Sequence, residues 1–183
     1  MSLRHALLGF IEMLQPVSGY DLKKWFESSI RFYWPATHTQ VYRTLAELAD
    51  RKLVTTKKIE QTIRPDKKLY SLTDRGKQEL VSWLREPLDL PATRHGLMVQ
   101  LSFADLLDIG DILSLLSNYA SKVSAHLLFL KKDQQKFSQY GRTTRERLLW
   151  ELILESGLEY YRGELRWTEK AIRRLKAHAG KGL

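Results

Sequence analysis

The period of the apolar residues changes once along this chain and then changes back, and that switch limits what the chain can fold into. Up to about residue 51 apolar side chains recur at three- and four-residue spacings, the mark of amphipathic helices. From Leu53 to Leu72 the pattern is β-branched and strand-like, and from residue 73 onward the helical spacing returns. One short hairpin set among helices predicts a mainly α protein with a small β-hairpin wing.

The individual elements can be placed on this pattern. Leu3, Ala6, Leu7, Phe10, Ile11 and Leu14 form the buried stripe of a first helix that Pro16 stops. Ser18, with Asp21 three residues on, is a start signal for a second helix whose apolar face is Leu22, Trp25, Phe26 and Ile30. A third helix, about 38–51, buries Val41, Leu45 and Leu48 and turns Thr39, Arg43 and Glu47 outward. Val54 to Ile63 reads as a strand with Ile59 and Ile63 as its larger apolar residues. A turn at Arg64-Pro65-Asp66-Lys67 and a return strand, Lys68 to Leu72, complete the hairpin. Thr73 or Asp74 caps a fourth helix carrying Leu80, Val81, Trp83 and Leu84, and Pro87 and Pro91 mark a linker.

The second half is helical throughout. A short helix from Leu97 leads to a heptad repeat in which Ile109, Leu116, Val123, Leu130 and Phe137 recur every seven residues, with Leu113, Ala120 and Leu127 between them. Thr143 or Thr144 then starts a final helix to about residue 177. Its apolar arc spans roughly half the circumference, more than one neighbour covers, so a second copy of the chain is the simplest source of further packing. The expected domains are therefore 1–86, helical with the β-hairpin wing; 87–93, a linker; and 94–183, a helical domain that dimerises.

Charge points to the kind of partner. Thirty Lys+Arg against 21 Asp+Glu give +9, and the stretch from Arg51 to Lys77 alone holds nine basic residues against three acidic ones. A solvated basic face would explain such a run, but its place on a hairpin beside a helix suits a polyanion. The chain has no cysteine, which removes disulfides, thiolate metal sites and thiol nucleophiles. The five histidines (5, 38, 95, 126, 178) show no paired metal spacing, and there is no phosphate loop or nucleophile elbow. No enzyme activity, metal or cofactor is expected. Nor does any stretch approach the apolar length of a membrane span, and the expected location is cytoplasmic.

Helix, helix, helix, basic hairpin, helix is the order of a winged helix-turn-helix, in which one helix enters the major groove while the hairpin follows the backbone. Thr39, Gln40 and Arg43, near the start of the third helix and off its apolar stripe, are candidates for base edges; each also fits an ordinary solvent-facing position. Arg64, Lys67 and Lys68 at the hairpin tip have the charge to meet phosphate, with Lys57 and Lys58 as weaker candidates. Ser18 and Tyr20 could reach phosphate from the start of the second helix, or be a cap and a core tyrosine. The basic residues Arg173, Arg174 and Lys176 suit a helix C-terminus and need no DNA to explain them.

Several blocks in this order resemble the PadR-type transcriptional regulators with a long C-terminal helical domain of the virulence-activator kind. They are Leu7-Leu8-Gly9; Ser18-Gly19-Tyr20-Asp21-Leu22; Gln40-Val41-Tyr42 with Leu45 and Leu48; Leu53-Val54; and Arg64-Pro65-Asp66-Lys67 leading to Tyr70-Ser71-Leu72-Thr73 and Gly76. The resemblance implies a homodimer on double-stranded operator DNA, usually a repressor. Tyr42 joins Ser18, Tyr20, Thr39, Gln40, Arg43, Arg64, Lys67 and Lys68 as the expected DNA surface. In some members a small aromatic or phenolic effector releases DNA; Phe103, Trp150, Tyr160, Tyr161 and Trp167 are the aromatic candidates here, though such residues at helical spacing also build cores. Two positions depart from the family pattern: Lys52 and Ile63 stand where glycine is frequent. A protein-interaction adaptor and an RNA binder are the rival readings, and the basic wing argues against the first.

Overall fold

The computed structural model describes residues 3–29, 36–60, 66–88, 94–137 and 141–180; the side chains at 28, 29 and 133–137 are not among them. The expectations for Ile63, Arg64, the Phe137 side chain and most of the linker therefore lie outside the described residues. Two compact units divide the chain, residues 1–90 and 91–183.

The first unit runs α1 (Leu3–Leu14), β1 (Val17–Ser18), α2 (Gly19–Ser29), α3 (His38–Asp50), β2 (Val54–Ile59), β3 (Lys67–Leu72) and α4 (Asp74–Leu84). Its strands form an antiparallel sheet in the order β1-β3-β2. The hairpin was expected, but β1 was not: two residues carry no alternation to read, and only the pairing of Val17 with Tyr70 and Ser18 with Leu69 reveals the strand. β2 spans Val54–Ile59, and Ile59 is exposed; the expected continuation to Ile63 falls outside the described residues.

α1 lies at the centre, packed on α2, α3, α4 and β3. Leu7, Leu8, Phe10 and Ile11 meet Leu22 and Phe26 of α2, and Val41, Leu45 and Leu48 of α3, in a buried core. Each such side chain contributes about 1.5–3 kcal/mol on leaving water, and Phe10 and Phe26 add an edge-to-face contact at 6.0 Å. On α4 only Leu80 of the expected apolar face is buried; Val81 and Leu84 face outward, and Trp83 stacks on His5 at 4.8 Å. Glu79 gathers Arg4 at 3.0 Å and Arg51 at 4.0 Å, tying α1 and α3 to α4.

The junction between α3 and the sheet fixes where the wing begins. Lys52 takes the left-handed conformation, φ 57°. Its amide donates to the Ala49 carbonyl and that of Leu53 to the Leu48 carbonyl, a Schellman ending built without glycine. Leu53 is buried, and the Thr73 hydroxyl donates to the Lys52 and Leu53 carbonyls while accepting from the Gly76 amide. One threonine thus caps α4 and closes the base of the hairpin.

The second unit contains α5 (Gly96–Ser102), a short 3-10 turn (Ala104–Leu106), α6 (Ile109–Phe137) and α7 (Thr144–Ala179). The heptad positions Leu116, Val123, Leu127 and Leu130 are buried, and α6 packs on α7. The seam is thus occupied within the chain. Tyr119 meets Glu164 and, one heptad on, His126 meets Tyr161, so the two helices run antiparallel. Thr143 caps α7 by accepting from the Glu146 amide, and Arg142, above all through its side chain, holds the Glu146 carboxyl below its ordinary value. Among the described residues no helix is long and apolar enough to cross a membrane.

Candidate nucleic-acid interface

The first turn of α3 is built by reciprocal capping. The Thr37 hydroxyl accepts from the Gln40 amide, and the Gln40 side-chain carbonyl accepts from the Thr37 amide at 2.8 Å. A bidentate contact to adenine needs that same carbonyl, so Gln40 first serves the helix start. Thr39 and Arg43 are exposed, and Arg43 makes a loose pair with Glu47 at 3.8 Å. The Tyr42 ring meets that of His38, tilted by 32°, at 4.4 Å and lies over Gly19, where a Cβ would come within 3.0 Å of it. That close approach holds the start of α2 against α3.

At α2 the candidates separate. Tyr20 is 68% exposed, whereas Ser18 is 3% exposed. The Ser18 hydroxyl donates to the Asp21 carboxylate at 2.6 Å and accepts from the Asp21 amide at 3.1 Å. Of the two readings of Ser18, the helix cap is the one that its buried and engaged hydroxyl fits. Its hydrogen bond, and next the Lys67 ammonium, hold the Asp21 carboxyl below the usual carboxylate value.

The wing presents Lys57 and Lys58 on β2 and Lys67 and Lys68 on β3. Lys58 stands directly opposite Lys68, a like-charge pairing that costs a sheet stability and that an anion relieves. Lys58 pairs with Asp66 at 2.6 Å, Lys67 reaches Asp21 at 3.3 Å, and Lys68 lies 5.8 Å from the Tyr70 ring. Among the described residues Lys57 and Lys68 form no ion pair. The fold therefore brings Tyr20, Thr39, Tyr42, Arg43 and the four lysines into one unit. Arg64 lies outside the described residues. Sequence reasoning passed over two members of this surface: His38, signalled only by an aromatic four residues on, and the Asp21–Lys67 pair, whose separation in sequence leaves no local trace.

In the second unit Trp150 is buried, Tyr161 half-buried, and Phe103, Tyr160 and Trp167 exposed. Tyr161 contacts Tyr160 at 5.1 Å and His126 at 4.8 Å. Trp150 and Trp167 are about 25 Å apart along α7, so no drug-sized molecule touches both on one copy. Nearby, Glu164 accepts from Tyr119 at 2.6 Å and meets His95 at 2.9 Å.

Residues 7–82 match the transcriptional regulator PadR-like family, and residues 93–176 match the virulence activator alpha C-terminal family. A probable transcriptional regulator of Mycobacterium tuberculosis is 30% identical over 189 residues, covering 96% of this chain and 98% of that one. The chain belongs to the PadR-like family of transcriptional regulators. PadR-like proteins are regulators, not enzymes, and the winged-helix architecture described above is theirs. The negative transcriptional regulator PadR of Bacillus subtilis is 28% identical over 174 residues, 93% of this chain and 95% of that protein. Its structure in complex with operator DNA superposes with a TM-score of 0.84 at 28% identity, covering 94% of this chain and 98% of that one. Its structure with p-coumaric acid gives 0.80 at 27% identity, covering 95% and 98%.

Proposed function

We propose that this PadR-like regulator binds a near-palindromic operator as a homodimer and represses transcription, with a small aromatic effector releasing the DNA. The observation that carries the DNA reading is the joining, in one unit, of an exposed first face of α3 to a lysine-bearing wing. In this reading residues 1–86 bind DNA, 87–93 link, and 94–183 dimerise and hold the effector. Thr39 and Arg43 face base edges, while Tyr20, Tyr42, Lys67, Lys68 and Arg64 face the backbone. The operator complex of the Bacillus subtilis relative supports the DNA-binding reading, and its name, a negative regulator, supports repression.

The dimer reading rests on apolar surface. With the α6 seam spent on α7, Phe103, Leu106, Leu128, Leu148, Leu149 and Leu152 are still exposed, Leu106 by 90%. Leu148, Leu149 and Leu152 fall within two turns of α7, an apolar cluster of the kind that marks an interaction face, and a twofold pair of winged helices matches operator half-sites about 34–36 Å apart or a multiple of that. The effector reading draws on the relative's p-coumaric acid complex and on the Tyr160–Tyr161–His126 cluster.

A single series of measurements tests the whole. Light scattering of the full chain should give a dimer, and truncation after residue 86 a monomer. Footprinting should give a twofold-symmetric site whose affinity falls steeply with salt. Titrated p-coumaric acid should change tryptophan fluorescence and operator affinity together, since linkage is reciprocal. A flat salt dependence would return the chain to the adaptor reading.

A further inference from the structure

The basic count of the wing overstates the charge it can offer. Lys67 lies 3.3 Å from the Asp21 carboxylate, and Lys58 lies 2.6 Å from Asp66. Of the two acids, Asp66 belongs to the hairpin itself, whereas Asp21 projects from the first turn of α2. Asp21 is kept there by the Ser18 hydroxyl and held against it by the start of the helix. Its position is set by backbone and cap, so it remains beside the wing whether or not DNA is bound.

We propose that Asp21 is an internal competitor for the phosphate-binding lysine of the wing: its carboxylate occupies Lys67 in the free protein and lowers affinity for any DNA duplex. The inference rests on the DNA-binding reading above. A phosphate taking Lys67 must draw the ammonium from a carboxylate that stays close by, and that carboxylate repels the incoming phosphate. Both effects oppose binding. The opposing contribution, preorganisation of the lysine by the pair, is small, because both side chains are over 40% exposed and exposed pairs order their partners weakly. The competition therefore wins. Lys57 and Lys68, which form no ion pair among the described residues, keep their full charge for the backbone.

The test is binding of the full chain to a short mixed-sequence duplex across a salt series, with D21N, K67A and D21N/K67A beside the wild type. Asn preserves a side-chain oxygen to accept from Ser18, and a thermal melt checks that the fold is retained; K67A in the wild-type background gives a second arm that does not depend on altering the cap. D21N should bind about threefold tighter, the scale of an exposed ion pair, and steepen the logarithmic salt slope by about 0.9, one phosphate contact. K67A should weaken binding, because it leaves the Asp21 carboxylate unneutralised beside the phosphates, and in the D21N background it should abolish the whole gain over the wild type. Unchanged or weaker binding by D21N overturns the proposal, as does a gain that survives K67A. Wild-type protein that binds the duplex without salt dependence fails the DNA reading itself, a result distinct from either.

Discussion

The Tyr119 hydroxyl donates to the Glu164 carboxylate across 2.6 Å, joining α6 to α7 with His95 2.9 Å from the same oxygen. Burial first, and then this hydrogen bond, push the Tyr119 phenol well above its ordinary value of 10.0. A raised phenol contributes stability that is complete below pH 10 and is lost as the pH climbs toward the folded value, because the unfolded chain ionises first. Tyr119→Phe should lower the stability of the second unit by about 1.5 kcal/mol at neutral pH, the worth of a hydrogen bond to a charged group. It should also flatten the alkaline fall. Denaturant unfolding of wild type and variant at neutral and high pH measures both.

Lys52 carries a cost that its backbone reveals. A non-glycine residue at φ 57° is disfavoured by about 1 kcal/mol, and the Schellman bonds of Lys52 and Leu53 hold it there. Lys52→Gly should raise stability by roughly 0.5–1 kcal/mol, with Lys52→Ala giving no such gain. Comparison of their urea midpoints decides whether the conformation or the lysine side chain sets the difference.

Two glycines should respond to alanine in opposite ways. At Gly76 a Cβ would fall 2.1 Å from the Leu53 carbonyl oxygen, a backbone atom that cannot yield without opening the base of the wing. Gly76→Ala should destabilise the first unit by about 3 kcal/mol. At Gly9, in the middle of α1, nothing lies within 4 Å of the added carbon, so Gly9→Ala should stabilise by about 0.5–1 kcal/mol through helix propensity alone. Thermal melts of the pair provide an internal control.

The helices were legible because each carries its own signals: the stripe Leu7, Phe10, Ile11 in α1, the Ser18 and Thr73 caps, and the heptad of α6. What lay beyond reading depends on contacts between distant segments. β1 exists only through its pairing with β3, and the surface of α4 is apolar at Val81 and Leu84 without being buried. At the candidate site the residue types were visible but not their engagements. Ser18 is spent on Asp21, Gln40 on Thr37 and Lys67 on Asp21, and spacing alone does not tell a free donor from an occupied one.

Gln40 offers a way to separate the stability of α3 from its proposed encounter with DNA. Its side-chain carbonyl accepts from the Thr37 amide, and its own amide donates to the Thr37 hydroxyl, so the residue closes a reciprocal box at the helix start. Glutamate serves that third helical position as well as glutamine, and its negative charge is favoured at a helix N-terminus. Gln40→Glu should therefore leave the melting temperature unchanged or slightly raised. The same charge, placed on the exposed face beside Thr39 and Arg43, would meet phosphate and base acceptors with repulsion, and DNA affinity should fall at least tenfold. Gln40→Ala reverses the pattern on stability: it removes half the box and should cost about 1 kcal/mol, with a smaller loss of binding than the glutamate produces. Circular-dichroism melts beside duplex-binding isotherms at one salt concentration measure both quantities. Should Gln40→Glu bind duplex as tightly as the wild type, the first turn of α3 does not face DNA, and the assignment of Thr39 and Arg43 to base edges fails with it.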